Sequence, residues 1–199
     1  MNTLSHGGLP QNRARLYIVG MQTHAIKHDF MWPSEIPVVD VMDILDPPLK
    51  DSWEASSMTN LSNLDRLMTK IMEEGGKPNE EPYFIDTNQS AKMGDNVMLG
   101  RSPTLTRTRA MQGGFYVTTH RRMLNTAELF RLQGFDPDRI FWKGLPKRTA
   151  GGRKGKVTER EVRGMIGNAM TVPVVGRVLR MACQACGLID MCVRDPWHK

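Results

Sequence analysis

The chain alternates between two apolar periods. Leu61, Leu64, Leu67, Met68, Ile71 and Met72 recur at helical spacing, and Gly75-Gly76 closes the run, which predicts an amphipathic helix over 61–72. From Pro82 to Thr119 short apolar stretches, Tyr83-Phe84-Ile85 and Phe115-Tyr116-Val117, alternate with Gly, Asn and Asp, the mark of a small β-rich region. Leu16-Tyr17-Ile18-Val19 followed by Gly20 predicts a short buried strand. Pro33, Pro37, Pro47 and Pro48 punctuate its exit and favour extended connections.

The second half reads as helices. Asn125 with Glu128 three residues on is a start in which side chain and acid cap each other. That helix runs through Leu129, Phe130 and Leu132 and stops at Gly134, a natural left-handed cap. Thr158 and Glu161 repeat the pattern before a second short helix, which Gly167 is expected to break. Pro173 sits in the first turn of a third helix, where its missing donor costs little. Along it Val174, Val175, Val178, Leu179, Ala182, Cys183 and Cys186 share one face and Arg177, Arg180 and Gln184 the other, until Gly187.

Composition narrows the class. The 199 residues are 40% apolar and 24% charged, an ordinary globular balance that allows one domain or two small ones. No apolar run approaches the roughly 20 residues of a membrane span, so no membrane partner is expected. The start, MNTLSHGGLPQ, has no apolar signal core. Three cysteines, Cys183, Cys186 and Cys192, are too few for a secreted disulfide framework and suggest a reducing compartment. Cys183-x-x-Cys186 lacks a second pair and fits core packing better than metal.

Charge is concentrated. The net charge is +6, and the stretch Lys143 to Arg163 carries eight cations against Glu159 and Glu161, itself a net of +6. Lys147, Arg148, Arg153 and Lys154 lie there, and Gly151, Gly152 and Gly155 make most of it a mobile loop. It is either a solvated surface loop or a contact for nucleic-acid phosphates. Arg101, Arg107 and Arg109, interleaved with Thr104, Thr106 and Thr108, read as an alternating strand, either lying along DNA or simply an exposed edge. At the head of the chain Arg13 and Arg15 precede the Leu16 strand, and period two places both on one side of its entrance. Two permanent fork-shaped cations suit an anionic or carbonyl-bearing ligand; a solvated basic strand end is the plainer reading.

These residues also carry a resemblance. GLPQNRARLYIVG, Gly8 to Gly20, resembles the Gln-x-Arg-x-Arg block of the DNA cytosine-5 methyltransferases. LNTAELFRLQGF, Leu124 to Phe135, resembles the next block, with Asn125 and Thr126 where the family usually has Thr and Pro. MIGNAMTVPVVGRVL, Met165 to Leu179, resembles the last block. Three blocks in family order span nearly the whole chain, although about Trp32 to Leu99 matches nothing specific. The resemblance implies a base-flipping enzyme using S-adenosylmethionine, acting on DNA inside the cell, in nucleus or nucleoid. Arg15 matches the arginine that contacts the flipped base. Arg13 matches a phosphate-contacting or loop-positioning arginine, and Gln11 a loop-ordering residue. Asn168 and Ala169 match the cofactor-contacting pair, with Gly167 allowing close backbone approach; a helix break with a self-capping Asn is the plainer alternative.

The family's cofactor loop, Pro-Cys loop and Glu-Asn-Val strand are not found among these residues. Cys183-Gln184 follows Ala182 rather than proline and sits mid-helix, so it is not taken as the nucleophile. The resemblance therefore implies an α/β chain: a partial Rossmann-like methyltransferase fold with a small mixed α+β target-recognition domain. The expected parts are catalytic-domain strands over 1–45, the recognition domain over 46–157, returning helices over 158–190 and a tail over 191–199. The missing blocks belong to an N-terminal half or a separate chain, without which the protein is expected to be inactive and to expose apolar surface. A non-catalytic nucleic-acid-binding remnant and an RNA cytosine-5 methyltransferase fragment are the alternatives.

Overall fold

The computed structural model describes residues 1–48, 57–148 and 154–198. The helices are α1 (Thr3–Gly7), α2 (Met58–Glu73), α3 (Arg107–Met111), α4 (Thr126–Leu132), α5 (Glu159–Asn168) and α6 (Val172–Ala185). The strands are β1 (Tyr83–Ile85), β2 (Val97–Leu99), β3 (Tyr116–Val117), β4 (Arg122–Met123), β5 (Pro146–Arg148) and β6 (Lys154–Lys156). Four of these form an antiparallel sheet in the order β2-β1-β3-β4, and β5 pairs with β6 as a hairpin. The architecture is thus mixed α/β with a small antiparallel sheet. Among the described residues no helix is long and apolar enough to cross a membrane.

Period two makes the sheet a partition between two apolar clusters. Ile85 and Tyr116 face α2, where Leu64, Leu67 and Ile71 cover them. Their neighbours Phe84 and Val117 face the opposite side, with Leu105, Leu124, Leu129, Val162 and Ile166. Adjacent side chains on a strand point to opposite faces, so one short apolar strand serves both layers. The larger cluster also takes in Val41 and Ile44, so one core draws on three of the four segments expected from sequence.

Local rules place the helices. Ser57 caps α2 by accepting from the Asn60 amide at 3.2 Å, and Gly75, at φ +84°, turns the chain out of it. Both anticipated capping boxes form, Asn125 with Glu128 and Thr158 with Glu161. Glu128 does more than cap. It is fully buried and takes both Arg122 nitrogens at 2.9 and 2.7 Å, the Asp46 amide at 2.8 Å and the Asn125 amide at 2.7 Å. A buried carboxylate is tolerable when its lone pairs are filled in this way.

Five expectations fail against the structure. Leu16 to Val19 forms no strand, and Leu16 and Ile18 are each 87% exposed; among the described residues no neighbouring strand pairs with that stretch of backbone. The run from Arg101 to Arg109 is not an alternating strand. Thr106 accepts from the Arg109 amide at 3.3 Å and caps α3, because a hydroxyl one residue before a helix meets a free amide. Gly167 lies inside α5 rather than breaking it. On α6 the buried face is turned from the expected one: Val174, Arg177, Val178, Gln184 and Ala185 are buried, whereas Leu179 is exposed. Arg177 goes inside because its Nε reaches Asp195 at 2.5 Å and its Nη1 reaches the His6 carbonyl at 2.7 Å and the Ser34 carbonyl at 2.8 Å. The basic stretch expected as a mobile loop supplies β5 and β6; Arg153 lies outside the described residues.

Candidate functional site

The three sequence blocks converge on one seam. Gln11, fully buried, donates from Nε2 to the carbonyl of Leu132 at the end of α4, at 3.5 Å. Beside it the Thr171 hydroxyl donates to Gln133 Oε1 at 3.1 Å, and the Thr3 and Thr171 oxygens are 2.8 Å apart. The Val172 amide donates to the Gln133 carbonyl at 2.9 Å. Gly134, at φ +79°, lies so close to Pro173 that a Cβ there would be 2.4 Å from the ring. The glycine therefore answers two demands, a left-handed turn and room for the start of α6.

Arg13 locks the first block to the last. Only 4% exposed, it donates through one terminal nitrogen to the Leu105 carbonyl. Its other terminal nitrogen reaches the Gly167 carbonyl at 3.3 Å and the Ala169 carbonyl at 2.9 Å. Those last two acceptors end α5, so the cation meets orphan carbonyls at the negative end of a helix dipole. Burial pulls the Arg13 pKa down, with Arg15 adding to the effect and Tyr17 opposing it. No carboxylate is bonded to it among the described residues; the helix end takes that part.

Arg15, two residues on, is exposed and donates to its own neighbour's carbonyl, Ala14, at 2.7 Å. The two guanidiniums expected on one side therefore occupy different environments. One is a buried tie, the other a solvent-facing cation at the head of the unpaired Leu16 segment.

Asn168 and Ala169 sit where Arg13 grips the chain. Asn168 is exposed at the edge of a cleft of about 360 Å³ lined by Arg107, Met111, Glu161, Gly164 and Met165 among others. Its amide is bonded to no group among the described residues and offers both donor and acceptor outward. Arg15 does not line this cleft. Gly167 differs from the reading that gave it a ligand. A Cβ there would stand 2.5 Å from the Thr106 carbonyl and 2.7 Å from the Arg107 Cα. The close approach it permits is therefore between α5 and α3.

The arginines expected on DNA scatter. Arg101 and Arg107 are exposed, and Arg107 borders the Asn168 cleft. Arg109 turns instead to the buried carboxylate of Asp86, at 2.7 Å. Burial pushes the Asp86 pKa up despite the opposing pull of Arg109 and Asn96. Lys147 and Arg148 lie in β5 and Lys154 in β6. Cys183 is half-buried within α6, and no cluster of metal-ligating side chains occurs among the described residues.

Several groups at this seam were invisible to motif reading. Glu128 was legible as a cap, but its Arg122 partner was not. Arg177 looked like a surface residue, and only Asp195 of the tail with the carbonyls of His6 and Ser34 explains its burial. An apolar cleft between α4 and α5 also escaped motif reading, because Phe130 and Met165 meet Phe141 and Leu145 there only in the fold.

A family model for C-5 cytosine-specific DNA methylase matches residues 3–183. No curated protein and no solved structure matches the chain.

Proposed function

Since the chain belongs to the C-5 cytosine-specific DNA methylases, we propose that it supplies one wall of an S-adenosylmethionine-dependent site that methylates cytosine in DNA. The observation that carries this reading is the Arg13 tie, which joins the head of the chain to the Asn168 hinge. The residues fit the cofactor as a partial wall. Asn168 presents an uncommitted amide and Ala169 a small side chain beside a cleft, and these two residues would hold it. S-adenosylmethionine, when bound, brings the electrophilic methyl group.

The rest of the chemistry assigned to this chain is electrostatic. A cytosine must leave the duplex before its ring can be attacked. Charge then develops on its polar edge, and Arg15, an exposed fork-shaped cation, would meet it. Arg13 acts by position, fixing the backbone from which Arg15 projects. Gln11 orders the same segment against α4. Arg101, Arg107 and the hairpin cations contact the DNA backbone, where charge gives affinity without base choice.

The nucleophile comes from elsewhere in this proposal. No Pro-Cys pair occurs in the sequence, and Cys183 is committed to α6. The exposed Leu16 and Ile18 suit an added strand position beside a sheet carried by a completing polypeptide. The test is methyl transfer from labelled S-adenosylmethionine to cytosine-containing DNA. The chain alone is expected to be inactive, and to gain activity when mixed with a polypeptide bearing the cofactor loop and the Pro-Cys strand. In that pair Arg15→Ala abolishes turnover with little loss of DNA binding; unchanged turnover contradicts the assignment. A second reading, a nucleic-acid-binding remnant without chemistry, is favoured by the concentration of charge between Lys143 and Arg163. It predicts DNA or RNA binding with no activity in any mixture.

A further inference from the structure

Arg109 holds a place in the fold that the reading above leaves unused. Its Nε meets the carboxylate of Asp86 at 2.7 Å, and the side chain of that acid is wholly buried. Asp86 is fixed in turn by the Asn88 amide at 3.1 Å and by Asn96 Nδ2 at 3.3 Å. Gln112 accepts one bond from Arg109 Nη1 at 3.2 Å. Anchors at both Nε and Nη1 hold the guanidinium plane in one orientation. Nη2 is bonded to no group among the described residues, and the side chain remains 22% exposed.

Arg109 lines a cleft of about 530 Å³ whose walls include Asn12, Asn96, Thr104 and Thr108. Asn12 belongs to the first block, three residues before Arg15. Arg107, two residues before Arg109 on α3, borders the Asn168 cleft. The cleft therefore adjoins both elements assigned to the methyl-transfer wall.

What such an arginine binds follows from its pairing. Asp86 cancels its unit charge, so Arg109 adds little to the attraction for phosphate, which depends on net positive charge. Its remaining N–H groups survive the pairing, and the planar fork suits two acceptors lying side by side. Guanine presents such a pair, O6 and N7, on its major-groove edge, whereas adenine sets a donor beside N7. A side chain already held in place also loses less freedom on binding.

We propose that Arg109, braced by Asp86, reads a guanine near the methylated cytosine through the O6 and N7 of that base. The inference rests on the reading of DNA as substrate and names the residue that sets its sequence preference. Arg107 and Arg109 then divide one short helix between backbone contact and base choice.

The test selects duplexes bound by the full chain from a pool of random sequence, then exchanges each guanine of the selected site for 7-deazaguanine. That base keeps O6 and its pairing with cytosine but lacks the N7 acceptor. Wild type is expected to select a fixed guanine and to lose about fivefold in affinity when 7-deazaguanine replaces it. Arg109→Gln combined with Asp86→Asn removes both charges together. It should bind the selected duplex about tenfold more weakly, ignore the 7-deaza exchange and keep the wild-type salt slope. Asp86→Asn alone should raise the slope by about one, because the arginine charge is released, and blur the guanine preference. Wild-type binding without a preferred guanine, or a guanine indifferent to the exchange, overturns the proposal and leaves the methylase reading intact. Equal weakening of the double variant on every sequence, with a lowered slope, makes Arg109 a phosphate contact and overturns it as well. If the variants do not fold, the 7-deaza exchange on wild type decides alone. Failure of the wild type to bind any duplex removes this inference and the DNA reading together.

Discussion

Arg13 and Arg15 belong to one short block, carry one charge each, and end in opposite situations. Arg13 is closed over by three backbone carbonyls from two distant segments. Arg15 and the apolar run after it face solvent, with Leu16 and Ile18 left uncovered. The difference shows how a single motif divides its labour. Its first half is a structural tie whose partners lie within this chain. Its second half is an exposed edge, bonded only to its near neighbours Ala14 and Met1 among the described residues, and this is the edge proposed to face the base. Burial of this guanidinium is tolerable because both terminal nitrogens find carbonyl acceptors, two of them supplied by the end of a helix.

The comparison can be broken most forcefully at the tie's floor. Gly167→Ala places a methyl within 2.5 Å of the Thr106 carbonyl and should destabilise the chain by about 3 kcal/mol in denaturant melts. A neutral result means that α3 and α5 are not packed as described. Arg13→Met leaves buried carbonyls unsatisfied and should cost about 2 kcal/mol, read in the same way. Arg15→Met should change stability by less than about 0.5 kcal/mol. If the two arginine variants were equally destabilising, the contrast between them would be lost.

Acid tests the tail that braces this region. Arg177 ties the His6 carbonyl of α1 to Asp195, and Trp197 packs over Gly176. Burial alone raises the Asp195 pKa, but hydrogen bonds from Arg177 and the Trp197 amide, with the nearby positive charges, bring it below its ordinary 3.8. A carboxyl depressed by folding contributes stability above its unfolded value and loses it as pH falls through the lower folded value. Trp197 fluorescence should therefore hold through mildly acidic pH and change only below about 3.8. Release at mildly acidic pH contradicts the latch. The smallest expected effect is Leu16→Ser with Ile18→Ser, which should leave the melting of the chain unchanged within about 0.5 kcal/mol and weaken only its assembly with a completing polypeptide.

Legibility followed the range of the interaction. The capping boxes at Asn125 and Thr158 and the repeat from Leu61 to Met72 were readable because their partners lie within a turn or two. Tyr83-Phe84-Ile85 and Phe115-Tyr116-Val117 were readable as apolar runs, although not as two sides of one partition. Arg177 was misplaced because its acceptors lie at His6, Ser34 and Asp195, beyond any local window. Arg107 to Arg109 was misread because alternation of Arg and Thr looks strand-like until Thr106 is recognised as a cap. The Leu16 strand was inferred from four apolar residues closed by Gly20, yet a strand exists only with a neighbour. Among the site residues, Gln11, Arg13 and Asn168 were singled out by resemblance, whereas the inward turn of Arg13 to the Gly167 and Ala169 carbonyls and the packing duty of Gly167 needed coordinates.

The central claim is that this chain forms one wall of a cytosine methyl-transfer site and lacks the nucleophile. Transfer of labelled methyl from S-adenosylmethionine to cytosine in duplex DNA, measured for the chain alone and for the chain mixed with a polypeptide carrying the Pro-Cys strand, tests it most directly. The account predicts no transfer by the chain alone and transfer by the mixture. Transfer by the chain alone, or none in the mixture when both parts bind one another, contradicts it.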